Sequence, residues 1–195
     1  KVVALGSESN AFPLAEVVVG CTIRFPNLWS TLMATLANEC LATVPKHVYY
    51  SKKVFKSEDE YRERMKYKKV KGKEGGEETW ESNEDFEKRM ASVMLFYGAL
   101  LTVNIPDFGP RGLLGSGWKW LVRILNHHKP CTMTAIALHA FLKQTGYRML
   151  QAYGRQMQKM LKLIETQIIP ALKADKNVDD AVRIRLEACL SEDLK

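Results

Sequence analysis

The sequence is short of the features that mark a membrane span, a secreted framework or a zinc module. No apolar run approaches the roughly 18–20 residues needed to cross a bilayer. The longest, near Val17-Val18-Val19, is soon interrupted by Arg24 and Pro26. The first residues lack the basic start, apolar middle and small-residue cleavage site of a secretory signal. The chain also opens at Lys1 without a methionine, and is expected to be a piece of something longer. Its four cysteines, Cys21, Cys40, Cys131 and Cys189, are far apart, each in an apolar context, with none of the short paired spacings of a zinc site. They read as reduced, mostly buried thiols, which suits cytosol or nucleus.

Catalytic constellations are missing too. No Gly-rich loop ends in Lys-Ser or Lys-Thr, and Gly115-Ser116-Gly117 precedes a tryptophan instead of following a strand into a phosphate-binding helix. The same triplet resembles a nucleophile elbow, but that motif needs a sheet to present its serine and strand signals are nearly absent. Of the histidines His47, His127, His128 and His139, only the adjacent pair shares a locale, and adjacent helical residues point in different directions. That pair reads best as helix C-terminal residues favoured by the macrodipole. The expectation is a protein that binds other macromolecules and is not itself an enzyme.

What is present is an ordinary globular composition, 46% hydrophobic and 26% charged over 195 residues, which fits a single helical domain over 1–195. The net charge of +7 is concentrated: eleven Lys or Arg face four acids between Lys46 and Lys73, an excess equal to that of the whole chain. Glu74, Glu77, Glu78, Glu81, Glu84, Asp85 and Glu87 follow at once, so the basic block is answered either by its own neighbour or by a ligand.

Helical periodicity runs almost throughout. Asn10 is a plausible cap for a helix over Phe12–Ile23, apolar nearly all round and read as buried. Pro26 starts a second, whose Leu28, Trp29, Leu32, Met33, Leu36 and Cys40 share a face until Pro45. From about 46 to 80 the pattern fails and an exposed charged excursion is expected, with a short helix capped by Ser57 and Glu60 and a flexible loop at Gly72, Gly75 and Gly76. Ser82 and Asp85 cap a long helix reaching about Val103. Pro106, Gly109, Pro110 and Gly112 punctuate a loop before a Trp-rich helix over Gly117–Leu125. Another helix begins at Thr132, a further one runs from Gly146 to Pro170, and a last is capped at Asn177. The fold class is therefore all-α: stacked antiparallel helices in a degenerate solenoid without visible repeats. Trp118 and Trp120 cannot share one helix face, so one packs inward while the other lies toward a neighbouring helix or a partner.

At this motif the sequence resembles a known family. The run Gly112-Leu113-Leu114-Gly115-Ser116-Gly117-Trp118-Lys119-Trp120-Leu121-Val122-Arg123-Ile124-Leu125-Asn126 resembles a hallmark segment of the C-terminal domain of the GLE-one family of nuclear-pore mRNA export factors. Phe12-Pro13-Leu14-Ala15, Cys40, Val44-Pro45, Lys88-Arg89-Met90 and Tyr97 match upstream; Phe141-Leu142, Gly146, Tyr153, Lys159-Met160-Leu161 and Pro170 match downstream. The resemblance covers about residues 11 to 190. It implies a fold like the HEAT-like middle domain of the translation initiation scaffold, of which this chain is the C-terminal two thirds. It also implies a non-enzymatic activator that binds a DEAD-box RNA helicase at the cytoplasmic face of the nuclear pore, docks on an FG-repeat nucleoporin and associates indirectly with messenger RNA. Inositol hexakisphosphate bridges the two proteins in several members. Where basic residues are expected to contribute to that pocket this sequence has Asn38-Glu39, and Lys46, Lys52 and Lys53 are the candidates to supply charge instead. Trp118, Lys119, Trp120 and Arg123 are the candidates for partner binding. The competing reading is a helical RNA-binding scaffold, its basic segment interleaved with Tyr49, Tyr50, Phe55, Tyr61 and Tyr67.

Overall fold

The computed structural model describes residues 8–46, 48–71, 78–105, 113–127 and 129–193. The expected loops at Gly72, Gly75 and Gly76 and at 106–112 lie outside these residues, as do His47 and His128. Helix α1, Glu8–Arg24, begins before Asn10, which is an interior residue and not the cap. Nor is α1 buried all round. Ala11, Ala15, Val19 and Thr22 form its covered face, while Phe12, Val17 and Ile23 are exposed. Small residues on that face let α1 pack closely on a central helix. Helix α2, Asn27–Glu39, starts after Pro26 as the periodicity indicates, and ends at a 3-10 turn, Leu41–Thr43.

Helix α3, Glu58–Arg64, is capped by Ser57, whose hydroxyl accepts from the Glu60 amide. The Glu60 carboxylate reaches back to the Lys56 amide at 2.9 Å, one residue before the cap. The helix closes with the Tyr67 amide on the Arg62 carbonyl and the Lys66 amide on that of Glu63. This pattern places Lys66 in the left-handed region, at φ 70°. Next comes a hairpin absent from the sequence reading: β1, Lys69–Lys71, pairs antiparallel with β2, Glu78–Trp80, with Lys69 opposite Trp80. Strands of three mostly exposed residues carry no alternation to detect.

The centre of the molecule is α4, Asn83–Thr102, packed against α6, Thr132–Tyr153. Ser82 caps α4 as expected, its hydroxyl accepting from the Asp85 amide at 3.0 Å and donating to the Asp85 carboxylate. The helices approach closely at Gly98, where a Cβ would sit 2.9 Å from that of Gln144. Helix α6 passes straight through Gly146; the break lies at Gly154, whose φ of 48° admits a glycine readily. After it come α7, Arg155–Leu163, a π turn, Ile164–Ile168, and α8, Ile169–Ala174. Pro170 thus lies inside the helical path, not at its end. It has no amide hydrogen to offer the carbonyl four residues back, and the widened turn just before it absorbs that mismatch. The final helix α9, Asp180–Ala188, is capped by Asp179, which accepts from the Ala181 amide, while the Asn177 amide side chain is bonded to Asp175.

Helix α5, Leu114–His127, packs on both α4 and α6, α1 lies against α4, and α9 lies against α6. The result is the all-α stack of antiparallel helices expected from the sequence. Phe86, Met90, Met94, Leu100, Leu101, Leu138, Phe141 and Leu142 fill its centre. No described helix is long and apolar enough to cross a membrane.

Candidate partner-binding surface

The Trp-rich helix is fixed by its two indoles in different ways. Trp120 is 2% exposed. Its Nε1 donates to the Ala42 carbonyl at 2.7 Å, and its ring lies 4.2 Å from that of Phe141. Gly117 lets α5 come this close, since a Cβ there would sit 3.3 Å from both Leu101 and Phe141. Trp118 is half-buried and stacks on Tyr153 at the end of α6, ring centroids 4.5 Å apart. Trp120 is therefore the inward tryptophan and Trp118 the one on a neighbouring helix.

That anchoring turns Ser116, Lys119 and Arg123 outward. With Met33, Ala37, Thr43, Val44, Pro45, Tyr97 and the edge of Trp120 they line a cleft of about 230 Å³ between α5 and the end of α2. Burial pushes the Tyr97 phenol up to about 12, opposed by the nearby Arg123 charge, so it stays protonated at neutral pH. Three of the four residues singled out for partner binding, Lys119, Trp120 and Arg123, thus meet at one surface, and Trp118 does not line it.

Lys46, Lys52 and Lys53 are all exposed, and none pairs with a carboxylate among the described residues. Lys46 follows Pro45 and borders a small pocket with Leu41, Met65 and Ile124. Lys52 and Lys53 sit in a turn closed by the Val54 and Phe55 amides on the Ser51 carbonyl.

Asn38 and Glu39 are not idle. The Lys66 ammonium donates to Asn38 at 3.0 Å, and Lys68 and Glu39 pair at 2.6 Å. Above them the buried Arg89 guanidinium donates to the Glu39 carbonyl at 3.2 Å and the Lys66 carbonyl at 2.8 Å, and pairs with the equally buried Glu81. Glu81 also accepts from the Lys68 amide at 2.8 Å. This clasp ties α2, the segment after α3 and the start of α4 together, so the segment expected as an exposed charged excursion is tied to the helices at this point while most of its described residues between 48 and 71 are exposed. Sequence reasoning missed it. The available signal was an arginine, Arg89, between the core residues Phe86 and Met90 and beside Val93, where an unpaired charge would be costly.

The aromatics of the basic segment are also engaged. Tyr50, Phe55 and Tyr61 cluster with centroids 5.3–6.3 Å apart, and Tyr67 stacks on Phe86 at 3.8 Å. Tyr49 donates to the Lys129 carbonyl at 2.8 Å. Phe55, Tyr61 and Tyr67 thus serve the protein's own packing, while Tyr49 and Tyr50 keep exposed surface of the kind the RNA-binding reading requires. Of the four cysteines, Cys40 and Cys189 are buried, but Cys21 is exposed and Cys131 half-buried, contrary to a mostly buried set. Burial raises the Cys40 thiol to about 11, so it is inert at neutral pH. Among the described residues no group of three His, Cys, Asp or Glu is placed to hold a metal.

Comparison with known proteins decides the family, because the model of the GLE1-like proteins matches residues 4–165. The chain belongs to the GLE1-like protein family. Similar curated proteins are the mRNA export factors GLE1 of Arabidopsis thaliana, 28% identical over 189 residues, and of Rattus norvegicus, 28% identical over 190. That of Saccharomyces cerevisiae is 24% identical over 189 residues. These alignments cover 96%, 92% and 92% of this chain but 26%, 26% and 33% of the relatives, so the chain spans about a quarter to a third of their length. Among solved structures, the fold is similar to a chain in the S. cerevisiae complex of the Dbp5 C-terminal domain with Gle1 and IP6. The TM-score is 0.79 and the identity 23%, over all of this chain and 67% of that one.

Proposed function

We propose that this chain is the helicase-activating part of an mRNA export factor at the cytoplasmic face of the nuclear pore. It binds a DEAD-box RNA helicase and stimulates its ATPase, and it docks on an FG-repeat nucleoporin, with messenger RNA associated only indirectly. The observation that carries the reading is the family match across most of the chain, on a fold shared with the Dbp5–Gle1–IP6 complex. The physical chemistry agrees. A stack whose helices are locked by Gly98, Gly117 and Trp120 offers rigid surfaces, and a rigid partner can favour one arrangement of a two-lobed helicase by differential binding. The chain then acts as one helical domain, about two thirds of the length of its structural neighbour.

In this reading Lys119, Trp120 and Arg123 lie at the partner contact. Inositol hexakisphosphate is a bridging ligand, not a required cofactor, and Lys46, Lys52 and Lys53 supply its charge in place of Asn38-Glu39, whose side chains are occupied by Lys66 and Lys68.

The test is isothermal titration of the chain with the C-terminal domain of its cognate helicase, with and without inositol hexakisphosphate. Binding that tightens at least tenfold with the polyanion, and loses that gain when Lys46, Lys52 and Lys53 become serine, is the expected result. Absence of binding under both conditions refutes the reading.

A further inference from the structure

Some of the basic side chains are already used internally. Arg62, Lys68, Lys88, Arg89 and Arg183 each close an ion pair within the chain. Lys119 and Arg123 are among those that do not. They stand one turn apart on α5, both exposed, and neither meets a carboxylate among the described residues. No acidic residue lines the cleft they border. Its floor is apolar, from Met33, Ala37, Pro45 and Val44, the last 49% exposed. A third group points the same way. Tyr97 is 6% exposed and lines the cleft, and its hydroxyl has no hydrogen-bond partner among the described residues. That hydroxyl is not sealed from solvent, so a ligand in the cleft can reach it with an acceptor.

We infer that this cleft docks an acidic, amphipathic segment of the helicase's C-terminal domain, with carboxylates one helical turn apart on Lys119 and Arg123 and an apolar side chain over Met33 and Val44. The inference rests on the helicase-binding reading and adds where and with what chemistry the contact is made. Two cations at i and i+4 match two carboxylates at the same spacing on a facing helix, and the arginine can hold one of them through two parallel hydrogen bonds. The Tyr97 hydroxyl supplies a further donor to the same group. The floor separates this occupant from a polyanion. Inositol phosphate or an RNA backbone would satisfy the cations but leave Met33, Ala37, Val44 and Pro45 against a fully hydrated ligand, whereas a peptide covers them.

The experiment measures the affinity of the chain for the helicase C-terminal domain before and after the paired substitutions Lys119→Glu and Arg123→Glu. Both side chains are exposed, so the fold should survive, and an unchanged thermal transition verifies that. The expected result is at least tenfold weaker binding, with the loss shrinking as salt is raised. A zero-length carbodiimide, which joins an amine directly to a carboxylate, should couple Lys119 to a helicase Asp or Glu located by mass spectrometry. Binding within twofold of the unaltered chain, with no Lys119 coupling, overturns the inference alone. Lost affinity for inositol hexakisphosphate or a single-stranded RNA oligonucleotide, with helicase binding intact, overturns it in favour of a polyanion site. If the unaltered chain does not bind the helicase, the functional reading falls and takes this inference with it.

Discussion

The α4–α5–α6 centre and the segment from Val48 to Trp80 are attached to the same framework by opposite means. The centre is held by rings and methyl groups, with Trp120 against Phe141 and Gly98 under Gln144. The segment buries Phe55 and Met65, but its registry is set by charge, through Arg89, Glu81, Lys68 and Glu39. Apolar packing is non-directional and tolerates many partners, whereas a buried ion pair is costly unless every group is met. The first kind of contact accounts for a rigid scaffold, and the second fixes one segment in a single arrangement upon it.

The largest effect should come from the centre. Trp120→Ala removes a buried ring and strands the Ala42 carbonyl, and should cost about 3–5 kcal/mol in denaturant unfolding. Trp118→Ala removes only a half-buried ring stacked on Tyr153, and should cost about 1–2 kcal/mol. Equal losses would show that the two indoles are not inward and lateral as described. In the clasp, Arg89→Met leaves the buried Glu81 carboxylate unpaired, and about 3 kcal/mol should be lost. Adding Glu81→Leu should recover much of that loss, an outcome that apolar packing alone would not produce. Removing the partly exposed Lys68 with Lys68→Ala should cost only about 0.2–1 kcal/mol.

The smallest expected effect depends on pH. Burial, followed by the charges of Asp179 and Glu84, holds the half-buried Glu87 carboxyl above its ordinary range. A raised folded-state pKa means that the folded protein binds this proton more tightly than the unfolded chain. Its stabilising contribution is therefore present below the ordinary carboxylate pKa and lost as pH rises through the raised one. Glu87→Gln should accordingly stabilise the protein by a fraction of a kcal/mol at pH 7, and the advantage should vanish near pH 4. An advantage that is constant across this range would assign the effect to packing.

The same contrast explains what the sequence made legible. The periodicity of Leu32, Leu36 and Cys40, and of Phe86, Met90, Val93 and Met94, located helices because a buried face must repeat every three or four residues. The Ser82 cap was readable for a similar local reason. Gly146 and Gly154 were not distinguishable locally, since a glycine in a helix either ends it or lets a neighbour approach, and only tertiary packing selects between the two. The clasp was illegible for the same reason: Glu39 and Lys68, or Asn38 and Lys66, are nearly thirty positions apart. At the candidate site, the Trp motif pointed to the helix that carries Lys119 and Arg123, but the cleft beside it depends on Met33, Val44 and Tyr97 from other elements, which no spacing connects to Lys119.

In the function proposed above, this rigid stack activates a helicase. The most direct measurement is the RNA-dependent ATPase rate of the cognate DEAD-box helicase with and without the chain, at saturating RNA. The account predicts a several-fold higher rate with the chain, reduced to basal by the paired Lys119→Glu and Arg123→Glu substitutions at unchanged chain stability. A rate that the folded chain leaves unaltered at concentrations well above its affinity for the helicase would contradict it.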